Sequence, residues 1–265
     1  MKISIVLSTQ PTTFSALAYQ GKLLENITRI KALGFDGIEL AVRDPAQIDV
    51  PSLTSILKEH RLPVSAIGTG QAYVEERLSF TNPREDVREK AIERIKAQAR
   101  LAELFDAIVI IGLVRGKRES ELDSETAERW LVSALQQCAS ANTDVRFAIE
   151  PINRYETNLV NTVKSGIDLL ERVGKKNVGL LLDTFHMNIE EPSITESMKL
   201  VGDLLFHFHV ADSNRWYPGA GHINFPSVFE TLEEIGYAGY VSAEILPMPD
   251  PDTAARMTIE YLQRF

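Results

Sequence analysis

The sequence predicts a single closed (β/α)8 barrel over residues 1–265, an α/β fold of alternating parallel strands and helices. Three observations lead there. Eight short runs rich in Val, Ile and Leu recur along the chain, helical patterns lie between them, and 265 residues is near the length of one such barrel. The runs are ISIVLS from Ile3, GIELA from Gly37, VSAIG from Val64, IVIIGL from Ile108, FAIE ending at Glu150, VGLLLD from Val178, LFHFHV from Leu205 and YVSAE from Tyr240. They are continuously apolar rather than alternating, as strands of a parallel sheet covered on both faces must be. An open doubly wound sheet is the competing architecture, but no Gly-rich phosphate loop follows a strand. The nearest, GTGQA at Gly68, lacks the third glycine and the lysine that such loops use.

Between the strands, Asn82 to Phe105 reads as a helix. Asn82 is a candidate N-cap, Pro83 stands at the first helical position, Glu85 follows three residues after the cap, and Val87, Ala91, Ile95, Ala99 and Ala102 recur at three-to-four spacing. A second helix opens at Phe225-Pro226 and stops at Gly236, where glycine tolerates the left-handed turn that ends a helix. The only cysteine, Cys138, falls in the helical run WLVSALQQCA and reads as a small buried apolar residue, so no disulfide forms within the chain. A 44% hydrophobic and 25% charged composition is ordinary for a globular protein. The formal charge of −9 disfavours nucleic acid or an anionic membrane as a partner. ISIVL is too short for a signal-peptide core and AIVIIGLV too short to span a bilayer, so the expected location is the cytoplasm.

Four of the later runs end on a metal-capable side chain: Glu150, Asp183, His209 and Glu244, spaced by 33, 26 and 35 residues, about one strand–helix unit each. In a parallel barrel the carboxyl ends of the strands carry the active site. Three carboxylates buried together without a cation raise one another's pKa values and lose hydration, so a divalent cation is the simplest resolution. The alternative is that each carboxylate pairs separately with Arg or Lys at the barrel mouth. Asn153, Arg154, Glu156 and Asn158 lie just beyond Glu150, where a substrate's hydroxyls would be read. His186 follows Asp183 by three residues and is close enough to face the same cavity. The period of two in a strand sends His207 and His209 to one side, one a ligand and the other its neighbour in the barrel interior. Arg215 is placed to donate a fork of hydrogen bonds to substrate oxygens, whereas His222 reads as a loop residue.

The segments EPINRYETN, LLDTFHMNIEE and HFHVADSNRWYPGAGHINF, with the late glutamate of VSAE, resemble the divalent-metal-dependent ketose 3-epimerases, the D-tagatose/D-psicose 3-epimerase group of the xylose-isomerase-like barrel superfamily. The resemblance is dense from Glu150 to Glu244 and extends over the chain at the level of fold. It implies that Glu150, Asp183, His209 and Glu244 hold one Mn²⁺, Mg²⁺ or Co²⁺ ion, with Mn²⁺ first among them. It implies that Glu156, His186 and Arg215 contact the reacting end of a sugar, and that Glu150 and Glu244 exchange protons with C3. Barrel relatives often assemble as dimers or tetramers, and a homo-oligomer is expected. Abstraction of the C3 proton leaves an enediolate, which a cation stabilises by several kcal/mol, and inversion then needs a second acid on the opposite face.

Two segments depart from that group. EILPMP stands where its members continue with an EPF-like motif, and VRGKRES places Arg115, Lys117 and Arg118 where a free-sugar enzyme has little use for positive charge. These three cations are candidate ligands for a sugar phosphate, against the plainer reading of a solvated loop. The competing functions are a sugar-phosphate or hydroxypyruvate isomerase on the same metal site, a metal-dependent endonuclease at abasic DNA, and a non-catalytic sugar-binding barrel. The endonuclease needs further histidine and carboxylate ligands, and the chain has five histidines in all.

Overall fold

The computed structural model describes residues 1–265 and places nine parallel strands in one sheet. They are β1 (Lys2–Ser8), β2 (Tyr19–Gln20), β3 (Gly37–Ala41), β4 (Val64–Gly68), β5 (Ile108–Ile111), β6 (Phe147–Ile149), β7 (Val178–Asp183), β8 (Leu205–Val210) and β9 (Tyr240–Ala243). Strand β9 pairs back onto β1, so β1 and β3 to β9 close an eight-stranded barrel. All eight expected runs are these strands. The unexpected β2 has only two residues and pairs with Leu7 and Ser8 of β1.

The surrounding helices are α1 (Leu23–Leu33), α2 (Val50–His60), α3 (Gly70–Glu76), α4 (Glu85–Glu103), α5 (Ser124–Ala141), α6 (Val163–Val173), α7 (Thr184–Glu190), α8 (Ile194–Val201), α9 (Phe225–Glu234) and α10 (Pro251–Leu262). Helix α4 starts later than its sequence suggests. Asn82 does not cap it; its Oδ1 accepts the Arg84 amide at 3.0 Å, closing a turn ahead of the helix, a competing use of the short Asn side chain. Helix α9 starts at Phe225 as expected, capped by Asn224, and Gly236 beyond its end has φ +70°. Cys138 is buried in α5. No helix is long and apolar enough to cross a membrane.

Strand pleating divides the buried residues into two sets. The outward side chains, among them Ile5, Leu7, Ile38, Ile67, Val109, Phe147, Leu180 and Phe208, join the helices in a core of 63 residues. Inside the barrel one half is apolar, with Ala66, Ile108, Ile110, Ala148 and Leu181 packed together. The other half is polar: Ser4, Glu39, His207, His209 and Ser242 are each at most 1% exposed. An irregularity in register between β7 and β8 sets this arrangement. Leu180 lies opposite Leu205 but Leu181 opposite His207, so Phe206 is the extra residue of a bulge. Because side chains alternate, this one-residue offset keeps His207 and His209 facing inward with Leu181 and Asp183.

Candidate metal centre and active site

At the carboxyl end of the barrel Glu150 follows the last residue of β6, Asp183 ends β7, His209 lies in β8, and Glu244 follows the last residue of β9. Each brings one ligand atom to a cluster in which all four atoms lie within 4.8 Å of one another. His209 Nδ1 stands 3.9 Å from an oxygen of each of Glu150, Asp183 and Glu244. That is too long for hydrogen bonds, but suits donors about 2–2.5 Å from a shared cation. Glu150 Oε1, Asp183 Oδ2 and His209 Nδ1 are buried with no hydrogen-bond partner. Native proteins rarely leave such atoms orphaned, and three aimed at one point fit a divalent cation. The second carboxylate oxygen of Asp183 is engaged elsewhere, accepting the Phe185 amide at 2.8 Å to cap α7.

The electrostatics point the same way. Burial, then the charges of Glu244 and Asp183, push the Glu150 carboxyl well above the ordinary carboxylate range. Burial pushes Glu244 to about 7 even though Arg215 and His209 oppose it. Burial works against a charged His209, yet Glu39, Glu244 and Glu150 lift it to about 10. A cation at the cluster must therefore displace protons from these groups. Its affinity is expected to weaken as pH falls below about 10, where His209 takes up its proton, and more steeply below about 7, where Glu244 does, with protons released on binding, which titration calorimetry in buffers of different ionisation enthalpy would detect.

Around the cluster sit the residues expected to read a ligand. His186, 2% exposed, accepts the Asn153 side-chain amide at Nδ1 (2.8 Å) and places Nε2 3.6 Å from Glu150 Oε1. Burial, then Arg215, hold its pKa well below the ordinary imidazole value, so the ring is neutral. Asn153 also donates to Glu156 Oε1 at 2.9 Å, which orients that half-buried carboxylate. Arg215 binds Glu244, lies 3.7 Å from Asp183 and 3.2 Å from His186 Nε2, and stacks its guanidinium 4.7 Å from the Phe185 ring centre. Its left-handed backbone, φ +60°, is held by a loop organised on Asp212, whose carboxylate accepts the amides of Ser213, Gly219 and Ile223. All seven expected metal and substrate residues thus converge on one place.

The basic loop does not. Arg115 is fully buried, and its guanidinium donates to the carbonyls of Leu159, Glu150 and Val160. Reading Arg115 as a phosphate ligand is therefore corrected: every arm of its fork is spent on backbone beside Glu150. Lys117 is exposed and Arg118 half-buried, with Arg118 bonded to Asn158 and Leu122, and neither lines the cavity over the cluster. Truncating Arg115→Ala would strand buried carbonyls, and a loss of about 2 kcal/mol or more in unfolding free energy is expected from denaturant titration. Arg154 forms a surface ion pair with Glu190 at 2.8 Å, and His222 is an exposed loop residue.

One group escaped the sequence reading. Glu39, in the middle of β3 and 1% exposed, accepts both His207 Nε2 (2.9 Å) and His209 Nε2 (3.0 Å) at Oε2. Burial raises the carboxyl, but the His209 charge and the two histidine bonds outweigh it and hold Glu39 ionised. The available signal was a glutamate set inside the otherwise apolar run GIELA. The cavity above the cluster, about 530 Å³ with the open space at its mouth, is lined by Val6, Phe14, Leu17, Leu113 and Ile152 as well as the polar groups. Arg215 is the one arginine or lysine lining it.

The protein is thus a closed parallel barrel with a candidate metal centre of three carboxylates and one histidine at its mouth. The chain belongs to the xylose isomerase-like TIM barrel family, whose model matches residues 27–265. It is 34% identical over 217 residues to an L-ribulose 3-epimerase of Methylomonas sp. (strain DH-1), a match covering 80% of this chain and 74% of that one. It is 30% identical over 253 residues to a 3-dehydro-D-guloside 4-epimerase of Escherichia coli (strain K12), covering 91% and 94%. Among solved structures, a D-allulose 3-epimerase from Methylomonas sp. superposes with a TM-score of 0.84 at 27% identity, covering 99% of this chain and 98% of that one.

Proposed function

We propose that the protein is a metal-dependent ketose 3-epimerase acting on unphosphorylated sugars, with residues 1–265 as one catalytic unit. The observation that carries this reading is the convergence of three partnerless buried atoms, of Glu150, Asp183 and His209, with Glu244 completing the set. A divalent cation held by these four supplies Lewis acidity to neighbouring carbonyl and hydroxyl oxygens. Glu150 and Glu244 enter from β6 and β9, with β7 and β8 between them, so two carboxylates approach a bound sugar from different sides. One removes the proton at C3 and the other returns one to the opposite face. His186, kept neutral, and Arg215 donate hydrogen bonds where negative charge develops on oxygen, and need no reorganisation to do so. Glu156, steered by Asn153, accepts from a sugar hydroxyl.

The lining of the cavity supports an uncharged substrate. Its one guanidinium, Arg215, is already paired with Glu244, His209 is paired with Glu39, and Arg115 is sequestered, so no free positive group awaits a phosphate. A second reading has its own support: a relative matched over 91% of this chain and 94% of its own length is the 4-epimerase of a keto-glycoside. Both reactions invert a carbon next to a ketone and need the same residues. The test is a panel of free ketohexoses and ketopentoses, their phosphates and 3-keto glycosides, incubated in D₂O with Mn²⁺. Deuterium at C3 of a free ketose, accompanied by its epimer, is the expected result. Exchange only at C4 of the glycoside would replace the first reading by the second, and carbonyl migration would replace it by an isomerase.

A further inference from the structure

We infer that Glu39 is a positioning residue for the metal centre: it holds the His209 ring so that Nδ1 faces the cation, with His207 as the second donor that anchors the Glu39 carboxylate. This deepens the proposed metal-dependent function and rests on it. The geometry is specific. A histidine ring offers two nitrogens on opposite sides, and free rotation would turn Nδ1 away from Glu150, Asp183 and Glu244 and put carbon in its place. His209 Nε2 lies 3.0 Å from Glu39 Oε2, so Nε2 keeps its proton for that bond and the nitrogen that gives one up to a cation is Nδ1, facing the cluster. The same oxygen accepts His207 Nε2 at 2.9 Å, and the two imidazoles pack edge to face with centroids 5.3 Å apart. Both ring nitrogens and the carboxylate are buried, so no water competes for these bonds.

The register explains why His207 is needed. His207 and His209 are two residues apart on β8, and Glu39 reaches both across the barrel interior from β3. Held by one donor alone, the Glu39 carboxylate could swing about its terminal torsion; two donors converging on one oxygen leave it a single arrangement. An anionic acceptor also makes the imidazole a stronger donor to a cation, an effect a neutral acceptor loses.

The test is the dissociation constant for Mn²⁺ and Co²⁺ by calorimetry and chelator competition, with the Co²⁺ visible spectrum, on the wild type, Glu39→Gln, Glu39→Leu and His207→Gln. Glu39→Gln keeps size and one acceptor but removes the charge. It is expected to weaken binding about 10- to 100-fold, with a shifted Co²⁺ spectrum and activity that returns as metal is raised. His207→Gln retains an N–H for Glu39 and is expected to fall between Glu39→Gln and the wild type. If Glu39→Leu fails to fold, the isosteric Gln variant still decides. Wild-type affinity and spectrum in a folded Glu39→Gln overturn the inference while leaving the metal reading standing. No metal binding by the wild type overturns both, and is distinguishable because the parent protein itself shows it.

Discussion

Glu150→Gln and Glu244→Gln are each expected to lower kcat by about 10²–10⁴, or about 3–5 kcal/mol of transition-state stabilisation. The amide keeps the volume of the carboxylate and one oxygen for the cluster, but it cannot carry a proton at C3. Two bases on different sides give the variants complementary signatures. Each should still exchange the C3 proton of the epimer that presents it to the remaining glutamate, without completing inversion. Proton NMR in D₂O with each epimer supplied separately would show one epimer washing out in Glu150→Gln and the other in Glu244→Gln. Near-wild-type turnover in either variant would remove that glutamate from the reaction. Loss of exchange from both epimers in both variants would assign the glutamates to the cluster alone.

Stripping the protein with a chelator is expected to abolish turnover and to lower the melting temperature, both restored by Mn²⁺, Mg²⁺ or Co²⁺ in graded degree. The barrier rises because negative charge developing on the substrate beside Glu150, Asp183 and Glu244 is then opposed by carboxylates whose only counter-ions are Arg215 and His209. Stability falls because a ligand bound only by the folded state contributes about 2.7 kcal/mol at a hundred times its dissociation constant, which for a chain of this size corresponds to a shift of about 5–10 °C. Differential scanning calorimetry with and without added cation reads the second effect independently of any substrate. A chelated protein with full activity and unchanged melting would remove the cation from the mechanism.

Glu150, Asp183, His209 and Glu244 were legible because a polar side chain ending an apolar strand is costly unless it has a task, and barrel topology puts all such ends on one face. His186 was legible because α7 begins directly after Asp183 and keeps it within a turn of that carboxylate, and Arg215 because it lies near the end of β8 in a loop folded on Asp212. Arg115 was misread because the run of cations around it describes local charge, whereas its environment is made by the carbonyls of Leu159 and Val160, more than forty residues away along the chain. Asn82 was misread because an Asn side chain can cap a helix or close a turn before it, and the adjacent chain path selects the turn.

Sequence alone determined the alternation of strands and helices, and with it the barrel and the strand ends at which Glu150, Asp183, His209 and Glu244 cluster, because hydrophobic period and strand spacing are local properties that survive without coordinates. Only the tertiary structure decided that Glu39 supports His209 and that Arg115 supports the backbone of Glu150. These contacts join residues 170 and 35 positions apart. They exist because barrel closure and a single-residue bulge in β8 bring those side chains inward together, and neither event leaves a periodic trace in the chain.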